Sequence, residues 1–517
     1  MSTTQLPKLI SDWSEGLLAT VRQPLRFLGL TVLMLITLNG LPVYSAPYAE
    51  TGDIELRHDL EYLADRGLIS IPITTWPMSW ADIAAAVDSV NKSSIKRSNA
   101  RAVYDRLVGR VARNTRWGEL ELSYTLGASE NRTALRTFAD RPRGSVDIAG
   151  KVEYTGEKFA VNLKMSLVNS SDDSQDLRLD GSYVGRIFGN YSVTFGSQDA
   201  WWGPGHAGSL ILSSNARPVP RVSVRRHEAI PFRSPILRWI GPWSFHGFVG
   251  RLESNRPVSQ PYLLGLRVTA KPFRSLELGV SRTAQWGGAG RTESLDSLVN
   301  LILGRDNVGD GIDASEEPGN QLAGFDARWS INRWSLPLTL YGQLIGEDEA
   351  GGFPSRYLGQ GGASVSFPGL WAESTVRMNL EYSDTTCQFH ENSKLFNCAY
   401  NTASYPAGYR YRGRALGHST DNDSSQIALL TTLNTGKRHS WLLTLRSGRL
   451  NRGGPPDPNN SLTEGQVDYV DFDLQHNRPL FNGMAEFGIG LSNSDVVATN
   501  SSTTDARAFV RWHSVVR

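Results

Sequence analysis

The chain is poor in several things that would place it in a familiar class. It has only two cysteines, Cys387 and Cys398, so no disulfide-dense scaffold holds it together. Beyond residue 46 no run of 18 apolar residues occurs, which excludes a transmembrane helix there. The formal net charge of +2 is too small for the broad positive field of a nucleic-acid binder. Catalytic signatures are missing too. No Gly-x-Ser-x-Gly, His-Glu-x-x-His, phosphate-cradling Gly-x-x-x-x-Gly-Lys or Cys-x-x-Cys is present. His206 and His227 have no neighbour that makes a nucleophile and base pair, so neither an enzyme nor a cofactor is indicated. The stretch Asp306 to Glu317 places Asp306, Asp310, Gly311 and Glu317 at the spacing of a calcium loop. Val308 and Asp313 spoil the pattern, and it reads as a solvated loop with no metal.

Lysine is also scarce. Arginine outnumbers it 44 to 9, a bias that suits carboxylate or phosphate partners such as anionic sugars or lipid headgroups. The N-terminus gives an address. Arg22 and Arg26 precede an apolar run, "FLGLTVLMLITLNGLPV", that is short and broken by Asn39, Gly40 and Pro42. That is the form of a secretory signal, residues 1–46, with cleavage favoured after Ser45; an uncleaved anchor is the alternative. In an exported chain the two cysteines, eleven apart, read as a local disulfide on an extracellular loop, with free thiols the alternative.

Two regions follow. Residues 47–116 carry three amphipathic patterns. The first aligns Ile54, Leu56, Leu60, Leu63 and Ala64, with Gly67 as a stop; the second starts at Ser79; the third runs from Asn99 to Arg113. They predict a small helical bundle that docks on something larger. From Trp117 the period becomes two. "ELELSYTL" sets Leu120, Leu122, Tyr124 and Leu126 against Glu119, Glu121, Ser123 and Thr125. "VRMNLEYS" sets Val376, Met378, Leu380 and Tyr382 against Arg377, Asn379 and Glu381. Short turns (155–158, 188–190, 271–273, 332–333, 368–369, 435–437) alternate with long polar stretches, notably 287–320, 386–424 and 452–464. The expected fold is an all-β transmembrane antiparallel β-barrel of about 18 strands over residues 117–517, with a periplasmic α-helical bundle and extracellular loops. Seventeen strands are visible in the pattern, and 201–240 is the place for one more.

The stretch "WWGPGHAGSLILSSNARPVPRVSVRR" resists both periods. Trp201 and Trp202 suit an aromatic girdle or a ligand surface. Residues 217–238 carry six arginines, Arg217 and Arg221 among them, with prolines at 218, 220, 231 and 235. A segment so basic and so stiff is expected to fill the lumen or a mouth and not to face lipid.

This stretch, with "YPAGYRYRGRALGHSTDND" and "LRHDLEYLADRGLISIPITTWPMSW", resembles the capsule assembly Wzi family. The resemblance lies in three places in order along the chain. It implies an 18-stranded outer-membrane barrel with a helical bundle, without enzymatic activity. The implied role is a lectin that anchors capsular or related acidic polysaccharide at the Gram-negative cell surface. Tyr405, Tyr409 and Tyr411 interleave with Arg410, Arg412 and Arg414, and rings beside guanidiniums suit acidic sugars. With Trp201, Trp202, Arg217 and Arg221 they form the candidate glycan site. The competing reading puts the tyrosines on a rising strand in the outer girdle, with the arginines in a lumen ladder. Rival functions are a porin-like channel for small solutes and an outer-membrane glycan or lipid hydrolase. Contact between the bundle and capsule export machinery is the other partnership in view; nucleic acid is not.

Overall fold

The computed structural model describes residues 48–516 apart from 96–97, 171–172, 303–318, 333–335, 351–352, 437 and 454–456. The signal segment 1–46, the calcium-like stretch Asp306 to Glu317, and parts of the turns 332–333 and 435–437 and of the loops 287–320 and 452–464 lie outside the described residues.

Eighteen antiparallel strands close into a barrel. In chain order they are β1 Leu120–Glu130, β2 Val146–Thr155, β3 Phe159–Asn169, β4 (an interrupted strand, Leu177–Arg178 and Tyr183–Phe188), β5 Tyr191–Gly196 and β6 Arg221–Arg226. Then come β7 Trp243–Arg251, β8 Tyr262–Phe273, β9 Leu276–Trp286, β10 Gly319–Ile331, β11 Leu338–Ala350 and β12 Phe353–Pro368. The series ends with β13 Thr375–Asp384, β14 Ser425–Asn434, β15 Ser440–Leu450, β16 Val467–Leu480, β17 Gly483–Val496 and β18 Ser501–Val516. Closure is made by β18 on β1, with Trp512 opposite Leu126 and Val516 opposite Leu122. Among the described residues the barrel sheet has no open edge, as strands in hydrocarbon require.

Burial along the strands is the reverse of that in a water-soluble sheet. On β13, Leu380 and Tyr382 are 50% and 48% exposed, whereas Arg377 and Glu381 are 1% and 2% exposed. The greasy face points outward and the charged face inward, so the apolar alternation is a lipid-facing band. Phe273, Trp371 and Phe481 stand exposed beside the short turns, where an aromatic girdle belongs.

The strand missing from the sequence count is β6. It alternates Arg221, Ser223 and Arg225, buried, with Val222 and Val224, exposed. The segment 217–238 is therefore only in part the lumen or mouth filling expected of it. Its middle is barrel wall, and the arginines are tolerated because they face in. Its end, with Pro231 and Pro235, lies in the 227–242 connection between β6 and β7, where Ile236 and Trp239 are exposed.

Among the described residues three α-helices precede the barrel: α1 Ile54–Asp65, α2 Trp80–Asp88 and α3 Ser98–Asn114. Asp53 caps α1 by accepting from the Leu56 amide at 2.9 Å, and Ser79 caps α2. A fourth helix, α4 Leu295–Ile302, forms in the β9–β10 connection, which reads as polar loop in the sequence. The helix α1 lies against the inward faces of the strands at the short-turn end. Every residue from Leu56 to Asp65 is buried. Leu56, Leu60 and Leu63 meet α2 and α3 in one core, while the polar side of α1 meets the polar wall of the barrel. Asp65 accepts from Arg328, Ser330, Thr339 and Arg377 at 2.5–2.9 Å. Those partners make burial of a charged helix face tolerable.

Candidate functional site

The lumen is filled from both ends, and the opening stretch is the reason. After β5 the chain turns inward as residues 197–220. Inward side chains of the wall hold its backbone. Glu381 accepts from the amides of His206 and Ala207 at 2.6 and 2.9 Å. Gln343 donates to the Trp202 carbonyl and accepts from the Leu210 amide, each at 2.8 Å, and Gln360 donates to the Gly208 carbonyl. Buried irregular backbone is thus satisfied by side chains, as it must be inside a barrel.

At the tip of this segment Trp201 and Trp202 pair antiparallel with Trp76 and Thr75. Phe138, from the β1–β2 connection, lies edge-on to both Trp76 and Trp201 at 5.2 and 5.4 Å between ring centres. Gly203-Pro204-Gly205 then turns beneath α1, where Arg57 donates to the carbonyls of Pro204 and Gly205 at 2.7 and 2.9 Å. The two plugs, one from each end, meet at this point.

The long β13–β14 connection, 385–424, seals the other side. Cys387 and Cys398 are joined by a disulfide, with Cα atoms 6.0 Å apart. Arg410–Tyr411 and Arg414–Ala415 pair as a tiny hairpin whose turn residues, Arg412 and Gly413, both have positive φ (48° and 72°). Glycine suits the second of these, as a two-residue hairpin turn demands. Tyr400, Tyr409 and Tyr411 pack with Leu210, Ile211 and Leu212 and with the inward Phe248, Leu263, Leu322, Ile345 and Leu358. This is a second apolar core, built inside the barrel mouth.

The candidate glycan residues are brought together, but as architecture. Trp202, Tyr405 and Tyr409 are 0% exposed, and Trp201 is equally enclosed. Tyr409 donates to the Ile211 carbonyl at 2.9 Å and Tyr405 to that of Gly287 at 3.2 Å. Arg410 forks onto Asp421 at 2.6 and 3.0 Å. Burial opposes the Asp421 carboxylate, but Arg410 outweighs it and holds the pKa below the ordinary value. Arg414 bonds Asn215 and the Ala134 carbonyl, Arg412 and Arg217 both reach Asp173, and Arg221 donates to the Gln198 carbonyl. These side chains are neither an exposed stacking platform nor a girdle and lumen ladder on a rising strand. The alternation of rings and arginines serves a loop folded into the mouth, where a ring needs an apolar slot and a guanidinium needs a carboxylate.

An open cleft of about 700 Å³ lies at the long-loop end. Its walls are the β1–β2 connection, the ends of β3, β15 and β16, and the facing ends of β17 and β18. Ser129, Asn131, Thr463, Ser492 and Ser494 give it a surface of hydroxyls and amides, Tyr469 an aromatic wall, and Arg132, Asp471, Asp505 and Arg507 its charges. Nothing in the sequence marks this cleft, because its residues come from distant strands and none belongs to a motif. Among the described residues no group of His, Cys, Asp and Glu has the arrangement of a metal site.

Comparison with known proteins agrees with this architecture. Residues 127–508 match the family model for capsule assembly protein Wzi. A 55.8 kDa protein in the cps region of Klebsiella pneumoniae is 32% identical over 359 residues, 68% of each chain. The solved structure of Wzi from Escherichia coli is 27% identical and superposes with a TM-score of 0.78, covering 90% of this chain and 99% of that one. That protein is described as an outer-membrane, carbohydrate-binding β-barrel involved in group 1 capsule assembly. The chain belongs to the capsule assembly Wzi family, as an outer-membrane β-barrel.

Proposed function

We propose that this protein binds capsular or related exopolysaccharide and holds it at the cell surface, without catalysis. The observation that carries the reading is a barrel closed by two touching plugs yet open as a cleft at its long-loop rim. A lumen sealed in this way does not suit solute passage, and the cleft offers hydroxyl-rich surface where an extended glycan can lie. Short turns belong on the periplasmic side and long loops outside, so the cleft faces the polymer. The helices α2 and α3 then face the periplasm, the side on which capsule export machinery would be met. The test is glycan retention. A deletion strain should shed polymer into the medium while still making it, and purified barrel should retain isolated polymer on a surface. Equal cell-bound polymer with and without the protein would overturn the reading.

A further inference from the structure

Beneath the rim cleft lies a buried cluster richer in cation than in anion, of which Arg507 and Asp471 line the cleft. Arg507 on β18 bonds both Asp471 and Asp473 on β16, and Arg446 on β15 bonds the same two carboxylates. Arg141, from the β1–β2 connection, reaches Asp473 at 3.0 Å. Three guanidiniums thus share two carboxylates, all five side chains nearly enclosed. Nε of Arg507, which lines the cleft, is buried and meets no acceptor among the described residues. A buried N–H left without an acceptor is costly, and an anion that supplies one relieves the cost. In the wall above, Arg132 lines the cleft and donates to Ser170 at 3.1 Å. The acids that line the cleft are Asp471, already paired with Arg446 and Arg507, and Asp505, which is exposed at the rim.

We infer that this cleft takes a carboxylate-bearing sugar residue of an acidic polysaccharide. The carboxylate is drawn to the Arg507 floor and to Arg132, while ring hydroxyls meet Asn131, Thr463, Ser492 and Ser494. A volume of about 700 Å³ is suited to a short oligosaccharide. Planar guanidinium suits carboxylate, and Tyr469 supplies an aromatic wall for a sugar face. The inference rests on the proposed carbohydrate-binding role and adds the place and the chemical selectivity.

Full-length protein in detergent would be titrated with a hexasaccharide of alternating uronate and N-acetylated sugar. The second ligand is the same hexasaccharide with its carboxylates reduced to hydroxymethyl groups. Wild type should bind the uronate form at least tenfold more tightly. Arg132→Gln should remove most of that preference while keeping binding to the reduced form. Ser494→Trp, which fills the cleft from an accessible strand end, should abolish binding of both; heat-modifiable gel migration checks that each variant is folded. Equal wild-type affinity for the two forms would overturn the selectivity and leave the carbohydrate-binding role intact. Wild-type binding in folded Ser494→Trp would overturn the location. No saturable binding by wild type of either hexasaccharide or of purified capsular polymer would overturn both the inference and the role beneath it.

Discussion

Trp201 stands opposite Trp76 in a two-residue antiparallel pair, and Phe138 lies edge-on to both rings. One contact thereby joins the N-terminal segment, the β1–β2 connection and the plug that descends from the long-loop end. The tryptophan doublet that resists any strand or helix period is the seam where the two fillings of the lumen meet.

That seam sets the first prediction. An 18-stranded barrel without filling encloses an aqueous pore, but here the 197–220 segment and α1 close it. Wild-type protein should give little conductance in planar bilayers. Replacing residues 203–216 by a short Gly-Ser linker should open large, stable steps while the barrel still migrates as a folded, heat-modifiable band. A porin-like conductance in the wild type would contradict the plug arrangement.

A second test uses Gly208. A Cβ there would lie 2.0 Å from ring atoms of His418, so the plug and the 385–424 loop approach more closely than any side chain permits. Gly208→Val should cost about 1–3 kcal/mol through overpacking. The long loops should become protease-sensitive and the strands should not. A variant with unchanged cleavage kinetics would show that this approach does not couple the two loops.

How much of this was legible in the sequence follows from distance along the chain. The outward leucines of β1 and the inward Arg377 and Glu381 of β13 follow a period of two, a local property that needs no knowledge of the partner strand. The strand β6 was hidden because its inward face is arginine and its outward face offers only Val222 and Val224 between prolines. The loops were not legible. Tyr400 donates to the Leu210 carbonyl across 190 positions, and Tyr409 to that of Ile211 across 198. No local pattern says whether a tyrosine in such a loop faces sugar or a carbonyl. The partners of α1's polar face were not legible for the same reason: they are charged residues of the barrel wall, Arg328 and Arg377 among them.

The third prediction concerns pH. His418 lies in the sealed loop, fully buried, and burial with Arg446 nearby pushes its pKa down to about 4 from 6.5. Above pH 6.5 the ring is neutral whether the loop is folded or released, so its contribution to loop stability is complete. As pH falls from 6.5 towards 4 the released loop takes a proton that the folded loop refuses. Stability is lost across that window, by on the order of 3 kcal/mol. Hydrogen exchange of residues 385–424 should quicken between pH 6.5 and 4, and His418→Gln should flatten the dependence. An identical pH profile in the two proteins would remove His418 as the cause.

The fourth concerns the disulfide. Closing an eleven-residue span between Cys387 and Cys398 limits the loop's unfolded states, typically contributing about 2–4 kcal/mol. Neither cysteine should accept a thiol reagent in intact cells without reductant. Cys387→Ser with Cys398→Ser should leave the barrel assembled and raise loop exchange rates. Labelling of both thiols in untreated cells would refute the bridge.

The last prediction separates architecture from ligand contact in the tyrosine and arginine loop. Arg410 holds Asp421 through two hydrogen bonds at 2.6 and 3.0 Å, and also reaches Asn401 at 2.7 Å. Both charges are buried, so removing one strands the other. Arg410→Gln should therefore cost about 3–5 kcal/mol of loop stability. Asp421→Asn alone should cost a similar amount. The double substitution leaves two neutral amide side chains that can bond one another, so its cost should be well below the sum of the single ones. If Arg410 acts only through the loop, capsule retention should follow loop stability, lost in each single variant and largely regained in the double. If instead Arg410 touched the glycan directly, restoring the loop could not restore the lost guanidinium, and the double variant would shed polymer as readily as Arg410→Gln. Measuring cell-bound polymer beside the exchange rate of residues 385–424 in all four proteins distinguishes the two.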